Sequence, residues 1–206
     1  MCFKRIFLVL AVLMLLSATC LQAEDDPDVL WSNSTSPSII GEIQFSHDDS
    51  EVIYCGNMIP TVLTADSGKF VRAFSGLNSN GAEDFDISLD GKYIVAGSIG
   101  DIVLWDYHTG EIINKITEGI SHVLSLSISP DNTKLAITQG SGSYKMSVFS
   151  FPELELLFET HEYTFLPQAE FSPDGKYIAL RSSNLEFYDA KTFAFVGSIY
   201  NAHERM

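Results

Sequence analysis

After residue 38 the chain alternates short apolar runs with turn-forming residues, and the alternation repeats. Four phrases carry the repeat: Phe45-Ser46-His47-Asp48-Asp49, Ile87-Ser88-Leu89-Asp90-Gly91, Ile128-Ser129-Pro130-Asp131-Asn132 and Phe171-Ser172-Pro173-Asp174-Gly175. Their spacing is near 40 residues, a period that marks a repeat architecture. The second repeat is the clearest. Glu83 to Ser88 alternates, with Phe85 and Ile87 on one face, and Leu89-Asp90-Gly91-Lys92 is turn chemistry, since Asp bonds its own backbone and Gly accepts positive φ. Tyr93 to Ala96, Asp101 to Asp106 and Glu111 to Ile116 supply three more strands, separated by Gly97-Ser98-Ile99-Gly100 and Tyr107-His108-Thr109-Gly110. Four short strands joined by tight turns make one antiparallel blade.

The other repeats fit the same frame. Strands are predicted near 40–45, 51–55, 61–65 and 69–74 in the first, near 123–128, 133–138, 144–149 and 154–159 in the third, and near 168–172, 176–181, 184–188 and 193–199 in the fourth. Runs such as Leu135-Ala136-Ile137 and Tyr177-Ile178-Ala179-Leu180 suit strands buried on both faces. No amphipathic helix is predicted after residue 23. The expected fold is all-β, a β-propeller of four-stranded antiparallel blades, with repeats at about 38–76, 77–119, 120–161 and 162–200 and a tail at 201–206.

Leu104-Trp105-Asp106-Tyr107-His108-Thr109-Gly110 resembles the end of a WD40 repeat, and Ser172-Pro173-Asp174-Gly175-Lys176-Tyr177-Ile178-Ala179 resembles the turn and second strand of WD40 and YVTN-like or TolB-like bacterial repeats. The resemblance spans roughly residues 29–200. The Trp-Asp pair occurs once, with Thr64-Ala65-Asp66, Phe149-Ser150 and Tyr188-Asp189 as its counterparts. The family's Gly-His pair is replaced by Glu118-Gly119. The resemblance implies an interaction platform whose partners bind on the face formed by the loops entering each first strand and those between second and third strands.

Asp28-Val29-Leu30-Trp31 reads as a strand within the N-terminal segment 24–37, standing where the last strand of a preceding blade would fall. With four full sets of strands and this extra one, the expected ring is partial or open. The chain is expected to be about half of a larger propeller; the alternative is a four-bladed ring or an open arc that pairs with another chain. An open arc exposes strand and blade faces and favours self-association.

The first residues follow another logic. Lys4 and Arg5 precede the apolar run Ile6 to Leu16, then small and polar residues, then Glu24-Asp25-Asp26. That order is a secretory signal over residues 1–23. The run is short of the ~20 apolar residues that a bilayer span needs. Cleavage after Ala23 is one expectation. The other is lipidation at Cys20, since Ser17-Ala18-Thr19-Cys20 resembles a bacterial lipobox. An uncleaved anchor is the third. The protein is therefore expected to be exported: periplasmic, on the cell surface or extracellular, with a membrane attachment only through that N-terminus. Cys55 is then left without a disulfide partner, on a strand predicted to be buried, and reads as an inert core thiol. Asn33-Ser34-Thr35 matches an N-glycosylation site, relevant in a eukaryote.

The chain of 206 residues has a formal net charge of −15, and loss of residues 1–23 makes the rest more negative still. Such a balance opposes phosphate backbones and anionic membranes, so nucleic acid is excluded as a partner. The acids are scattered and suit a soluble exported protein. No phosphate loop, nucleophile elbow or metal-ligand spacing occurs, and no catalytic residue, metal or cofactor is implied. His47-Asp48-Asp49 lies in a turn that favours Asp for backbone reasons, and Gly140-Ser141-Gly142 is loop material.

Candidate binding residues are those on the entering loops: Asn78, Asn80, His122, His161, Tyr163 and Phe165. Tyr163 and Phe165 are the expected anchors, because aromatics give contact area at low entropic cost. For Phe165, packing between blades is the alternative, and for the two histidines simple solvation. The leading expectation is a non-enzymatic scaffold for a protein, peptide or glycan. The alternatives are a propeller-based hydrolase, lyase or quinone-dependent enzyme, drawing on Asp84, His122 and His161, or a remnant without independent function.

Overall fold

A computed structural model of the protein describes residues 42–56, 59–78 and 81–200, which lie within the unit Ser38–Met206. The expected signal segment with Cys20 and Ala23, the strand near 28–31, and Asn80 lie outside the described residues. The described residues are all-β, forming four four-stranded antiparallel sheets in sequence order. Blade 1 comprises β1 (Ile43–Phe45), β2 (Glu51–Gly56), β3 (Ile59–Thr64) and β4 (Phe70–Ala73). Blade 2 comprises β5 (Asp84–Ile87), β6 (Tyr93–Gly97), β7 (Ile102–Asp106) and β8 (Ile112–Ile116). Blade 3 comprises β9 (Val123–Ile128), β10 (Lys134–Gly140), β11 (Tyr144–Ser150) and β12 (Leu156–Glu159), and blade 4 β13 (Gln168–Phe171), β14 (Tyr177–Arg181), β15 (Leu185–Asp189) and β16 (Phe195–Ile199). The predicted strands are found in all four, and closure of blade 4 onto blade 1 is not detected among the described residues.

The repeated phrase is the turn between first and second strands, built the same way four times. The Ser46, Ser88, Ser129 and Ser172 hydroxyls donate to Asp48, Asp90, Asp131 and Asp174 at 2.6–2.8 Å. The same oxygens accept the N–H of Glu51, Tyr93, Lys134 and Tyr177 at 2.9–3.0 Å. The aspartate also accepts the N–H two residues on, at 3.1–3.2 Å. The next position has positive φ in every copy, at Asp49 (59°), Gly91 (68°), Asn132 (55°) and Gly175 (68°), a conformation that Gly, Asn and Asp adopt at least cost. These bonds hold Asp48 and Asp174 at about 2, led by the serines Ser50 and Ser46 for the first and by Lys176 and Ser172 for the second.

Each third–fourth strand pair shifts register at one repeat position: between Val62 and Leu63, Leu104 and Trp105, Val148 and Phe149, and Phe187 and Tyr188. The bulge leaves Ile113, Leu157 and Val196 outward and half-exposed on the outer strands and adds twist. The core lies between blades. Ile53, Val62 and Phe74 meet Ile94, Val103 and Trp105; Val95, Ile102 and Leu104 meet Leu126, Leu135 and Ile137; Ala136, Met146 and Val148 meet Ala169, Ile178 and Leu180. Trp105 is fully buried, and its indole N–H donates to the Ser75 carbonyl at 2.8 Å.

Candidate binding site on the loop face

The loops leading into the first strands are positioned by buried polar groups. Asp101 is fully buried; its Oδ2 accepts the Asn78 N–H at 2.9 Å and lies 2.9 Å from Lys115 Nζ. Asn78 therefore anchors its own loop through its backbone. His122 Nε2 sits 3.4 Å from Glu83 Oε1 at the start of β9, and the His122 carbonyl accepts the Gly140 N–H at 2.9 Å.

The loop before β13 separates the two expected anchors. Tyr163 is only 7% exposed. Its backbone pairs with Tyr144 in both directions, and its hydroxyl forms a closed triad with the Tyr188 hydroxyl (2.9 Å) and Glu186 Oε2 (2.8 Å). Burial first, then the Tyr188 and Glu186 bonds, push the Tyr163 phenol well above its ordinary range. Tyr163 thus packs between blades 3 and 4, with His161 against it at a ring separation of 4.6 Å. Phe165 points outward instead, 63% exposed, beside Leu166 at 60%. Phe165 and Leu166 flank a shallow cavity of about 560 Å³ whose other walls are Tyr144, Thr164, Arg181, Ser182 and Ser183. Arg181 Nη2 donates to Gln168 Oε1 at 3.2 Å, which fixes one end of the guanidinium at the rim. An apolar shelf with one cation and the hydroxyls of Tyr144, Thr164, Ser182 and Ser183 can hold an apolar group next to an acceptor. The sequence pointed to the loops between second and third strands without naming Arg181, Ser182 or Ser183. Their signal was the break after Leu180, where a strand ends in Arg-Ser-Ser.

A second concavity, about 240 Å³ and mostly polar, runs along the inner strands β1, β5, β9 and β13. It holds four carboxylates, Glu42, Asp84, Asp86 and Glu170. Asp84 Oδ2 accepts the Leu126 N–H at 2.8 Å and Asp86 Oδ2 the Ile128 N–H at 2.7 Å, both across to blade 3. The other oxygens accept the N–H of Phe85 and Ile87, and Gln44 Nε2 reaches Asp86 at 3.2 Å. One blade further, Ser125 and Ser127 hydroxyls accept the N–H of Ala169 and Phe171 at 3.1 and 3.3 Å. From blade 2 to blade 3 and from blade 3 to blade 4, side chains of one inner strand thus satisfy the unpaired amides of the next. Burial, opposed by the Leu126 bond and reinforced by Glu42, pushes the Asp84 carboxyl up to about 7, and burial raises Asp86 too. A near-neutral carboxyl can mark an acid or base. Here both Asp84 oxygens are occupied by backbone amides, and neither His122 nor His161 lines this groove. The arrangement is that of a structural carboxylate.

In comparisons with known proteins, no family model matches the chain and no curated protein matches it.

Proposed function

We propose that the protein is an exported, non-enzymatic repeat module of the WD40-like or YVTN-like kind that holds a protein, peptide or glycan partner on its loop face. One observation carries the reading: Phe165 and Leu166, both more than half exposed, stand over a cavity rimmed by Arg181. Adjacent apolar side chains left in water beside a partly tethered cation are the makings of a contact hot spot. The four turn-locked blades supply a rigid base, and neither His122 nor His161 lines the groove that holds Asp84. Export rests on the N-terminal pattern of charge, apolar run and acidic start.

Peptide and glycan display libraries are the probes. Ligands selected on the wild type should lose roughly 30-fold or more in affinity to Phe165→Ala with Leu166→Ala, the effect of removing a hot spot. The melting temperature should not move, because both side chains already face solvent. Equal binding by the double variant would place the site elsewhere, and turnover of a peptide or glycan by the wild type would replace the scaffold reading with an enzymatic one.

A further inference from the structure

The interface between consecutive blades is made three times within the chain, and among the described residues each of its halves is found once without a partner, at the two ends of the array. The half that faces the following blade is the pair Ile53/Val62 in blade 1, Val95/Leu104 in blade 2 and Ala136/Val148 in blade 3, all 0% exposed. The corresponding pair in blade 4, Ala179/Phe187, is half-buried, with Ile199 on the same face 51% exposed. The half that faces the preceding blade includes inner-strand positions Phe85, Leu126, Ile128, Ala169 and Phe171, at 3–7% exposure. Their counterparts in blade 1, Ile43 and Phe45, are each 58% exposed, whereas Val52 and Leu63 deeper in that face are covered at 9% and 8%. The opening on blade 1 therefore runs along β1.

The polar ladder is open at the same two places. Asp84 and Asp86 serve the amides of Leu126 and Ile128; Ser125 and Ser127 serve those of Ala169 and Phe171. The next acceptors in register are Gln168, whose Oε1 has a second lone pair beside its bond to Arg181, and Glu170, both exposed. The corresponding donors are the amides of Ile43 and Phe45. The Cys55 N–H to Glu42 and Ser46 N–H to Glu51 bonds put those two residues at the non-hydrogen-bonded positions of the β1–β2 pair, so their amides point away from the sheet.

We propose that a second copy of this chain closes these faces, blade 4 of each copy docking on blade 1 of the other. Gln168 and Glu170 of one copy accept the Ile43 and Phe45 amides of its partner, and Phe45 inserts against Ala179 and Phe187 as Phe171 does against the blade before it. The two contacts are related by a two-fold axis and give a ring of eight blades, within the four to eight such rings contain. Because each chain carries −15, association strengthens with salt.

The test is the mass in solution by light scattering at micromolar concentration, with four samples: wild type, two variants and their mixture. Wild type should show twice the mass of one chain. Phe45→Glu and Phe187→Glu should each show the mass of one chain, with unchanged circular dichroism; Ile199→Glu replaces Phe187→Glu if that variant folds poorly. An equimolar mixture of the blade 1 and blade 4 variants should regain a two-chain species, because it restores one of the two contacts. A wild-type monomer, which a closed four-bladed ring would give, overturns the proposal. So does a dimer that survives either variant, or a mixture that stays monomeric.

Discussion

Asp84 makes the stability of the protein depend on pH in a direction opposite to that of its surface acids. Its carboxyl is raised from 3.8 to about 7 in the folded state, mainly by burial. A group with a raised folded value binds more protons folded than unfolded between those two values. Its contribution is complete below pH 4 and is lost as pH rises through 7. At 1.36 kcal/mol per unit, the whole swing is about 4 kcal/mol, of which about 2–3 kcal/mol falls between pH 5 and pH 8. The turn aspartates cannot mask this: Asp48 and Asp174, at about 2, are ionised throughout that window. Asp84→Asn keeps an oxygen for one backbone N–H and removes the titration. The assay is urea denaturation of wild type and variant at pH 5, 6, 7 and 8. The wild-type curve should fall relative to the variant by about 2–3 kcal/mol across the series, with a residual slope in the variant from Asp86, which burial also raises. Parallel curves would refute the burial of Asp84 in the inner groove, whatever constant offset the substitution adds.

Three further outcomes follow from the packing. Ser88→Ala, at a serine 1% exposed, strands the Tyr93 N–H and one Asp90 bond and should cost about 1–2 kcal/mol by chemical denaturation, more than Ser172→Ala at its half-buried counterpart. A methyl at Gly97 in blade 2 would collide with the Val123 side chain of blade 3, so Gly97→Ala should lose about 1–3 kcal/mol in the same assay. The Cys55 thiol is pushed up to about 12, chiefly by burial and then by the charges of Asp84 and Glu42, so a disulfide reagent at pH 8 should label it only on unfolding.

The blades were legible because the turn announces itself. Ser-x-Asp followed by a residue tolerant of positive φ is a local device, needing only its own backbone, so each copy could be found without tertiary information. The strands then followed from apolar runs between turns. The binding loop was less legible. Tyr163 and Phe165 are two residues apart in an irregular segment with no period to assign a face, and the choice between them is made by Tyr144, Glu186 and Tyr188, residues 19 to 25 positions distant. The sequence left blade packing open for Phe165; in the structure Tyr163 does that work and Phe165 meets solvent. The inner groove was hidden for a related reason. Asp84 and Asp86 look like the polar face of an alternating strand, and their partners Leu126 and Ile128 stand 42 residues away. Only the stacking of blades shows that this polar face is turned toward the amides of the next blade.

Blade 2 is joined to blade 3, and blade 3 to blade 4, by side chains of one inner strand capping the amides of the next. Inner strands have a sheet partner on one side only, so their outward amides would ordinarily exchange with solvent as edge positions do. Hydrogen exchange resolved by residue tests this directly. The amides of Leu126, Ile128, Ala169 and Phe171 should be protected to the level of central strands such as β6 and β10, and Leu126 should lose that protection first in Asp84→Ala. Rapid exchange at these four amides in the wild type, with the central strands protected, would contradict the claim.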